Sequence, residues 1–467
     1  MMKKIVIIGG GITGLTAAYS LQKELINQDL PVEIELIEAS EHLGGKIRTL
    51  RKDGFTIERG PDSFLIRKKS MERLVRDIGI GDKLVTNGTG QSYVLVGDKL
   101  HKIPHGSFMG IPLQVRPFLF SGLFSPLGKI RAGFDFVLPK SEVKEDQSLG
   151  HFFRRRLGDE MLENLIEPLL SGIYAGDMDD LSLMSTFPNF YEVEQKHGSL
   201  IRGLKRTVPK KKSQKKKPSM FYSIKGGLET VVEALEEKLT ETSILKGIQV
   251  DHIEKKEAGY HVLLSNGEVS RADAIIMATP YYQTAKMLSQ YDFVQELQKM
   301  KATSVANVAL AFDQSAIKKD LDGTGFVISR NSDYRITACT WTHKKWPETA
   351  APPGKALLRC YVGRPHDQEI VDLSDQELEE IVLKDLNKIM KIDAKPLFSV
   401  VTRWKKAMPQ YSVGHKAMMD RIAESMAEEL PGIYLAGASY RGLGLPDCID
   451  QAEAATKEVL AHILEKE

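Results

Sequence analysis

The residues best suited to do chemistry stand at the start of the chain, where Gly9, Gly11 and Gly14 follow the spacing Gly-x-Gly-x-x-Gly within Gly9-Gly10-Gly11-Ile12-Thr13-Gly14. Gly9 and Gly11 let a backbone turn and approach a pyrophosphate closely, while Gly14 lets a helix pack against a strand. The preceding run Ile5-Val6-Ile7-Ile8 reads as a strand. Leu15-Thr16-Ala17-Ala18 reads as a helix whose N-terminus would stabilise negative charge. A second apolar run, Val32 to Ile37, ends in Glu38, and 24 residues separate Gly14 from that acid. This is close to the spacing of a carboxylate that accepts hydrogen bonds from ribose hydroxyls. The pattern predicts a dinucleotide site, although any one of these glycines, taken singly, is also a plain turn.

At 467 residues the chain is too long for one simple core, and two or three lobes are expected to position this site. A formal net charge of +2 with 27% charged residues argues against a nucleic-acid surface. Cys339, Cys360 and Cys448 lie far apart and form no Cys-x-x-Cys pair, which fits a reducing compartment without a disulfide framework or metal cluster. The first strand begins almost at once and leaves no room for a cleavable signal, so a cytoplasmic location is expected. Pro117 to Leu127 is apolar but far short of the roughly 20 residues of a spanning helix. A packed internal segment is expected there, with a lid or a peripheral membrane contact as the other readings. The run Lys205, Arg206, Lys210, Lys211, Lys212, Lys215, Lys216 and Lys217 is expected to be a solvated surface loop.

Patterning predicts a discontinuous nucleotide-binding domain of residues 1–65, 221–285 and 411–467. A mostly helical insertion follows over 66–220, in which Arg154-Arg155-Arg156 and Asn164-Leu165-Ile166-Glu167-Pro168 are read as helix punctuation. Residues 286–410 alternate strand-like runs, Val305 to Phe312 and Ala356 to Val362, with the helical stretch Gln376 to Ile389, as an α+β lobe would. Between the lobes, Gly247 to Val250, Tyr260 to Leu264 and Ala274 to Pro280 read as strands returning to the first domain. At the end, Ile433 to Ala438 reads as a short strand entering a glycine-rich loop, with a helix over Asp450 to Leu464.

Further residues narrow the cofactor. Gly44-Gly45 and Lys46-Ile47-Arg48-Thr49 follow Glu38, and Phe55-Thr56-Ile57-Glu58 leads into Arg59-Gly60-Pro61-Asp62-Ser63. This double-glycine arrangement, with Leu435-Ala436-Gly437-Ala438 near the end, resembles the FAD superfamily of amine oxidases, phytoene desaturases and protoporphyrinogen oxidases. The resemblance implies an α/β fold with a Rossmann-like FAD-binding domain, a substrate-binding α+β domain and a mostly helical insertion. Carried across position by position, it implies FAD contacts at Gly9, Gly10, Gly11, Ile12, Thr13, Gly14, Glu38, Ala39, Lys46, Gly60, Pro61, Asp62, Ser63, Val250, Trp404, Leu443, Gly444 and Leu445. Lys46 stands where many relatives carry arginine, which removes bidentate geometry there.

Over essentially the whole chain the resemblance is closest to the porphyrinogen oxidases, through Gly60 to Leu65, Glu167 to Asp177, Leu181-Ser182, Met408 to Tyr411 and Gly437 to Gly442. It is strongest to their soluble Gram-positive coproporphyrinogen III-oxidising branch, and so implies a role in haem biosynthesis. Gly172 is then placed beside a flat tetrapyrrole, although as a bare feature such a glycine is more often a helix stop. Arg67, Lys68 and Lys69 follow a flavin-contacting loop, and by family position Lys68 is the preferred partner of a substrate propionate. The implied reaction is hydride transfer from the porphyrinogen to FAD with loss of a pyrrole N–H proton. Dioxygen would be the electron acceptor and hydrogen peroxide the by-product, and no catalytic acid, nucleophile or metal is called for. Transient contact with a ferrochelatase is a further implication. Protoporphyrinogen IX oxidation, a flavin amine oxidase using Trp404 and Tyr411 as an aromatic sandwich, and a non-catalytic tetrapyrrole or prenyl carrier are the competing readings.

Overall fold

Residues 2–142, 145–207 and 219–465 are described in a computed structural model of the chain. Its organising element is a five-stranded parallel sheet in the order Thr242–Lys246, β2 (Val32–Glu38), β1 (Lys3–Ile8), Ala274–Met277 and Ile433–Leu435. Ile5, Val6 and Ile7 are all fully buried because both faces of the sheet are covered, and for that reason the strand is apolar without alternation. Ile5 and Ile7 pack beneath α1 (Ile12–Gln28) and the helices Glu229–Lys238 and Leu445–Glu465. Val6 and Ile8 face the opposite core, roofed by a small antiparallel sheet and by the helices Tyr281–Met287 and His415–Glu429.

That small sheet departs from the sequence reading. Val250–Lys255 and Tyr260–Leu264 pair with each other and with Val269–Ala272, outside the parallel sheet. From this region Ala274–Met277 joins the parallel sheet as expected, and so does Thr242–Lys246, which the sequence reading passes over.

A seven-stranded sheet forms the second layer, in the order Phe398–Pro409, Ala302–Asp313, Lys355–Val362, Ile336–Trp341, Gly325–Ile328, Tyr93–Val96 and Lys99–Lys102. Its last two strands come from the segment read as helical, so that segment is anchored into the sheet at Phe326–Tyr93. The helices of residues 115–207 pack on one another around Phe152, Phe153, Leu162 and Phe190. Arg154, Arg155 and Arg156 do mark a boundary, forming the last turn of a helix that Gly158 ends. Arg156 lies inside the helix Leu149–Leu157, fully buried, with Nε 2.6 Å from Asp135 Oδ1. Leu162–Ile166 is a π-helical turn running straight into the helix Glu167–Tyr174, whose Pro168 occupies a first-turn position where its missing N–H costs nothing.

Pro117 to Leu127 requires a correction. Phe118, Leu123 and Phe124 are buried, but Phe120 is 83% and Leu127 78% exposed, and Val115, Leu119, Ile130 and Val137 stand out beside them. The segment is a plate anchored by Phe118, Leu123 and Phe124 with the rest presented outward, not a packed internal segment. Of the basic run, Lys205 and Arg206 lie in the helix Leu200–Thr207, and Lys210 to Lys217 fall outside the described residues. Among the described residues no helix is long and apolar enough to cross a membrane.

Candidate active site

The turn between β1 and α1 is built from glycines that are needed for two different reasons. A Cβ on Gly14 would lie 1.8 Å from the Gly9 carbonyl oxygen, so close packing of helix on strand forbids one. Gly9, at φ +106°, is pressed against the Ala278 carbonyl. A Cβ on Gly11, by contrast, meets nothing within 4 Å; the protein leaves that space open. No side chain caps the 17-residue α1 at Gly11, so its first N–H groups and positive end are available to an anion. Glu38 closes the far side: its Oε2 accepts from Gly10 N–H at 2.6 Å and its Oε1 from Ser40 N–H at 2.9 Å. A carboxylate so held keeps lone pairs for two ribose hydroxyls. Val250 is buried beside Ile37, and Ile248 N–H bonds the Glu38 carbonyl, which sets an apolar wall next to that acid.

The crevice continues along Gly44-Gly45-Lys46. Gly44 bridges to Gly11 and donates its N–H to the Gly10 carbonyl at 2.8 Å. Gly60 folds onto this segment so tightly that a Cβ would stand 1.9 Å from the Lys46 carbonyl and 3.6 Å from the Trp404 ring. Trp404 Nε1 donates to the Arg59 carbonyl at 2.8 Å. The Lys46 ammonium reaches the Ala407 carbonyl, and burial lowers its pKa.

Asp62 turns its carboxylate away from the crevice. Lys345 Nζ lies at 2.9 Å, Trp346 Nε1 at 3.2 Å and Arg359 Nη1 at 3.4 Å. Burial alone would raise its pKa, but Lys345 and Arg359 outweigh that and hold it well below the usual carboxylate range. Arg359 also donates to the Gly60 carbonyl at 2.7 Å. Glu58, one strand end earlier, is pushed up to about 7 by burial, although the Leu228 N–H and Thr49 hydroxyl bond it. Sequence reasoning missed Arg359; the available signal was a lone arginine in the apolar strand Lys355–Val362.

From the other end of the chain, Tyr411 pins the glycine-rich loop: its hydroxyl donates to the Ala438 carbonyl at 2.7 Å and accepts from Gly442 N–H at 2.8 Å. Gly437 faces Thr13, and Leu443-Gly444 leads into the helix Leu445–Glu465, which begins five residues before the expected Asp450. Cys448 lies buried nearby, its thiol pushed up to about 11 by burial. Lys68 is ion-paired with Asp447 and Lys69 with Glu72, whereas Arg67 is exposed. Tyr411 is 1% exposed and stacks on His415 at 4.1 Å, so it cannot wall an aromatic sandwich.

Gly172 lies in the helix Glu167–Tyr174, and a Cβ there meets nothing within 4 Å. The same helix carries Glu167, paired with Arg330, and its last carbonyl, that of Tyr174, is held by Gln410 Nε2 at 2.8 Å. Open space at Gly11, an uncapped helix start and a carboxylate with spare lone pairs fit a long dinucleotide.

Comparison with known proteins agrees. Residues 12–460 match the family of flavin containing amine oxidoreductases. The coproporphyrinogen III oxidase of Bacillus subtilis is 54% identical over 99% of this chain and 98% of its own length. That of Staphylococcus aureus is 44% identical over 99% of this chain and 100% of its own. A crystal structure from Exiguobacterium sp. superposes with a TM-score of 0.88 at 38% identity, covering 99% of both chains. The chain belongs to the flavin-containing amine oxidoreductase family, and its cofactor is FAD.

Proposed function

We propose that this protein oxidises coproporphyrinogen III to coproporphyrin III in haem biosynthesis. What carries the reading is the 54% identity, over nearly the full length of both chains, to the Bacillus subtilis coproporphyrinogen III oxidase. When bound, FAD supplies a two-electron acceptor that dioxygen reoxidises, with hydrogen peroxide as by-product. The chain's own part is to bind and orient. Gly9 to Gly14 and Glu38 hold pyrophosphate and ribose, and Val250 backs the adenine. The main chain of Gly60 to Ser63 and Leu443 to Leu445, with Lys46 and Trp404, fixes the ring. Gly172, with empty space over its Cα, lets a flat macrocycle lie close. Arg67 is free to meet a propionate; Lys68 must exchange Asp447 for one.

The exposed plate of Leu119, Phe120, Leu127, Ile130 and Val137, with exposed cations at Arg116 and Lys140, suits peripheral contact with an anionic membrane. A ferrochelatase, which uses a metal-free macrocycle, is the partner to which the product passes. The decisive assay offers the FAD-loaded protein coproporphyrinogen III, protoporphyrinogen IX and polyamines under air. Porphyrin fluorescence with peroxide, fastest with the four-carboxylate substrate, is expected. Peroxide from amines alone would reverse the reading.

A further inference from the structure

Outside the cofactor crevice, a groove of about 760 Å³ opens between the helix Tyr281–Met287 and the start of the strand Ala302–Asp313. Its charge is one-sided: Lys286, Lys301 and Lys406 line it, and no described residue of its lining is acidic. Lys301 is shared with Asp180 at 3.1 Å, both largely exposed, whereas among the described residues no ion pair engages Lys286 or Lys406. Tyr281 and Tyr282 stand edge to face in its wall, 5.5 Å between centroids, with Tyr282 partly exposed. Lys406 has φ +49°, a left-handed conformation that costs a non-glycine residue, and it sits at a bulge where the pairing of the strands shifts between Thr303 and Val305. That strain turns an extra cation into the groove one residue from Ala407, the carbonyl that holds Lys46. Tyr281 N–H bonds Ser439 Oγ at 3.0 Å, next to the glycine-rich loop. The groove thus backs onto the crevice from outside.

We infer that this groove is a second, peripheral binding site for a tetrapyrrole bearing several carboxylates, distinct from the face at Gly172. Its volume is that of a small-molecule site and exceeds what a single small anion fills. Three ammonium groups, of which only Lys301 is shared with a carboxylate, select an anion with several charges, and the tyrosine pair offers an aromatic edge and face to a planar ring. Under the proposed function, on which this inference rests, the protein meets two such molecules, its four-carboxylate substrate and product, of which the oxidised product is the planar one.

The test titrates FAD-loaded enzyme with coproporphyrin III by equilibrium dialysis at low and high salt. Two sites are expected, the second weakening with salt. In Lys286→Gln with Lys406→Gln the second site is expected to weaken by on the order of tenfold per lysine, with kcat/KM for coproporphyrinogen III unchanged. Protoporphyrin IX, with fewer carboxylates, is expected to fill it more weakly. A stoichiometry of one, a second site unaffected by both substitutions, or inorganic phosphate displacing the porphyrin at equal concentration would overturn the inference. Failure of turnover would instead strike the proposed function, because the stoichiometry is read without it.

Discussion

The cofactor crevice and the helical insertion use the same two ingredients, missing side chains and apolar ones, to opposite ends. In the crevice, Gly14 and Gly60 are glycine because the protein itself fills the space where a Cβ would go, at 1.8 and 1.9 Å from backbone oxygens. Gly11 and Gly172 are glycine with nothing near them, which leaves the space open. Apolar residues divide in the same way: Ile5 to Ile7 vanish into a core, while Phe120 and Leu127 are held out in solvent. A residue type therefore gives its reason only when its surroundings are known, and substitutions that separate the two reasons test the comparison.

The largest effect is expected from Gly14→Ala. Its Cβ must displace backbone at the junction of β1 and α1, costing about 3 kcal/mol or more and abolishing flavin retention. Gly11→Ala should leave the melting temperature of the FAD-free protein within about 2 °C, because nothing is struck, yet lower FAD affinity sharply. Calorimetry with and without FAD, beside the ratio of flavin to protein absorbance, reads both. Equal loss of fold in the two variants would erase the distinction.

A second prediction concerns the buried acid that supports the crevice. Glu58 keeps its proton to about pH 7 when folded and releases it near its ordinary 4.5 when unfolded. Between those values the native state binds more protons, so stability falls as pH rises through the window, by up to about 3 kcal/mol in total. Glu58→Gln, which preserves the bond from Leu228 N–H, is expected to flatten that decline and to be the more stable protein at pH 8. Denaturant midpoints of the holoenzyme at pH 5, 7 and 8 measure it. A wild-type midpoint that does not fall across this range would remove the claim.

Gly172→Ala divides stability from activity. Alanine in the helix Glu167–Tyr174 meets open space and stabilises by roughly 0.5–1 kcal/mol. The same methyl would stand between chain and macrocycle, and kcat/KM for the porphyrinogen is expected to drop about tenfold, close to 1.4 kcal/mol of transition-state binding. A variant that melts higher and turns over normally would move the substrate away from this helix.

The parallel-sheet half was legible because its physics is local. Burial on both faces demands unbroken apolar strands, and a pyrophosphate demands glycines at fixed spacing, so β1, the turn, α1, β2 and Glu38 all stand where their sequence puts them. The insertion was less legible because its determinants lie far apart in sequence. Arg156 reads correctly as a helix end, but its burial shows only once Asp135 and Glu194 are brought to it. For Asp62 the sequence offers a main-chain role only, and the carboxylate's partners, Lys345, Trp346 and Arg359, arrive from a distant strand and helix. Pro117 to Leu127 failed for a simpler reason: apolarity gives the same signal whether a side chain is packed or presented.

That last ambiguity frames the prediction with the smallest effect on catalysis. Phe120 and Leu127 make so little contact with the protein that Phe120→Ser with Leu127→Ser should shift the melting temperature by less than about 2 °C. Turnover of dissolved porphyrinogen should stay within about twofold, because neither residue approaches the crevice. Partition onto vesicles rich in anionic lipid should fall by about tenfold per side chain, the order expected for withdrawing one large apolar group from an interface. Sedimentation with vesicles of anionic and of zwitterionic lipid gives the result. If wild-type protein ignores both, the plate touches no membrane, and its exposed residues need a protein partner to explain them. If both proteins bind anionic vesicles equally, the cations at Arg116 and Lys140 carry the contact and the apolar side chains do not.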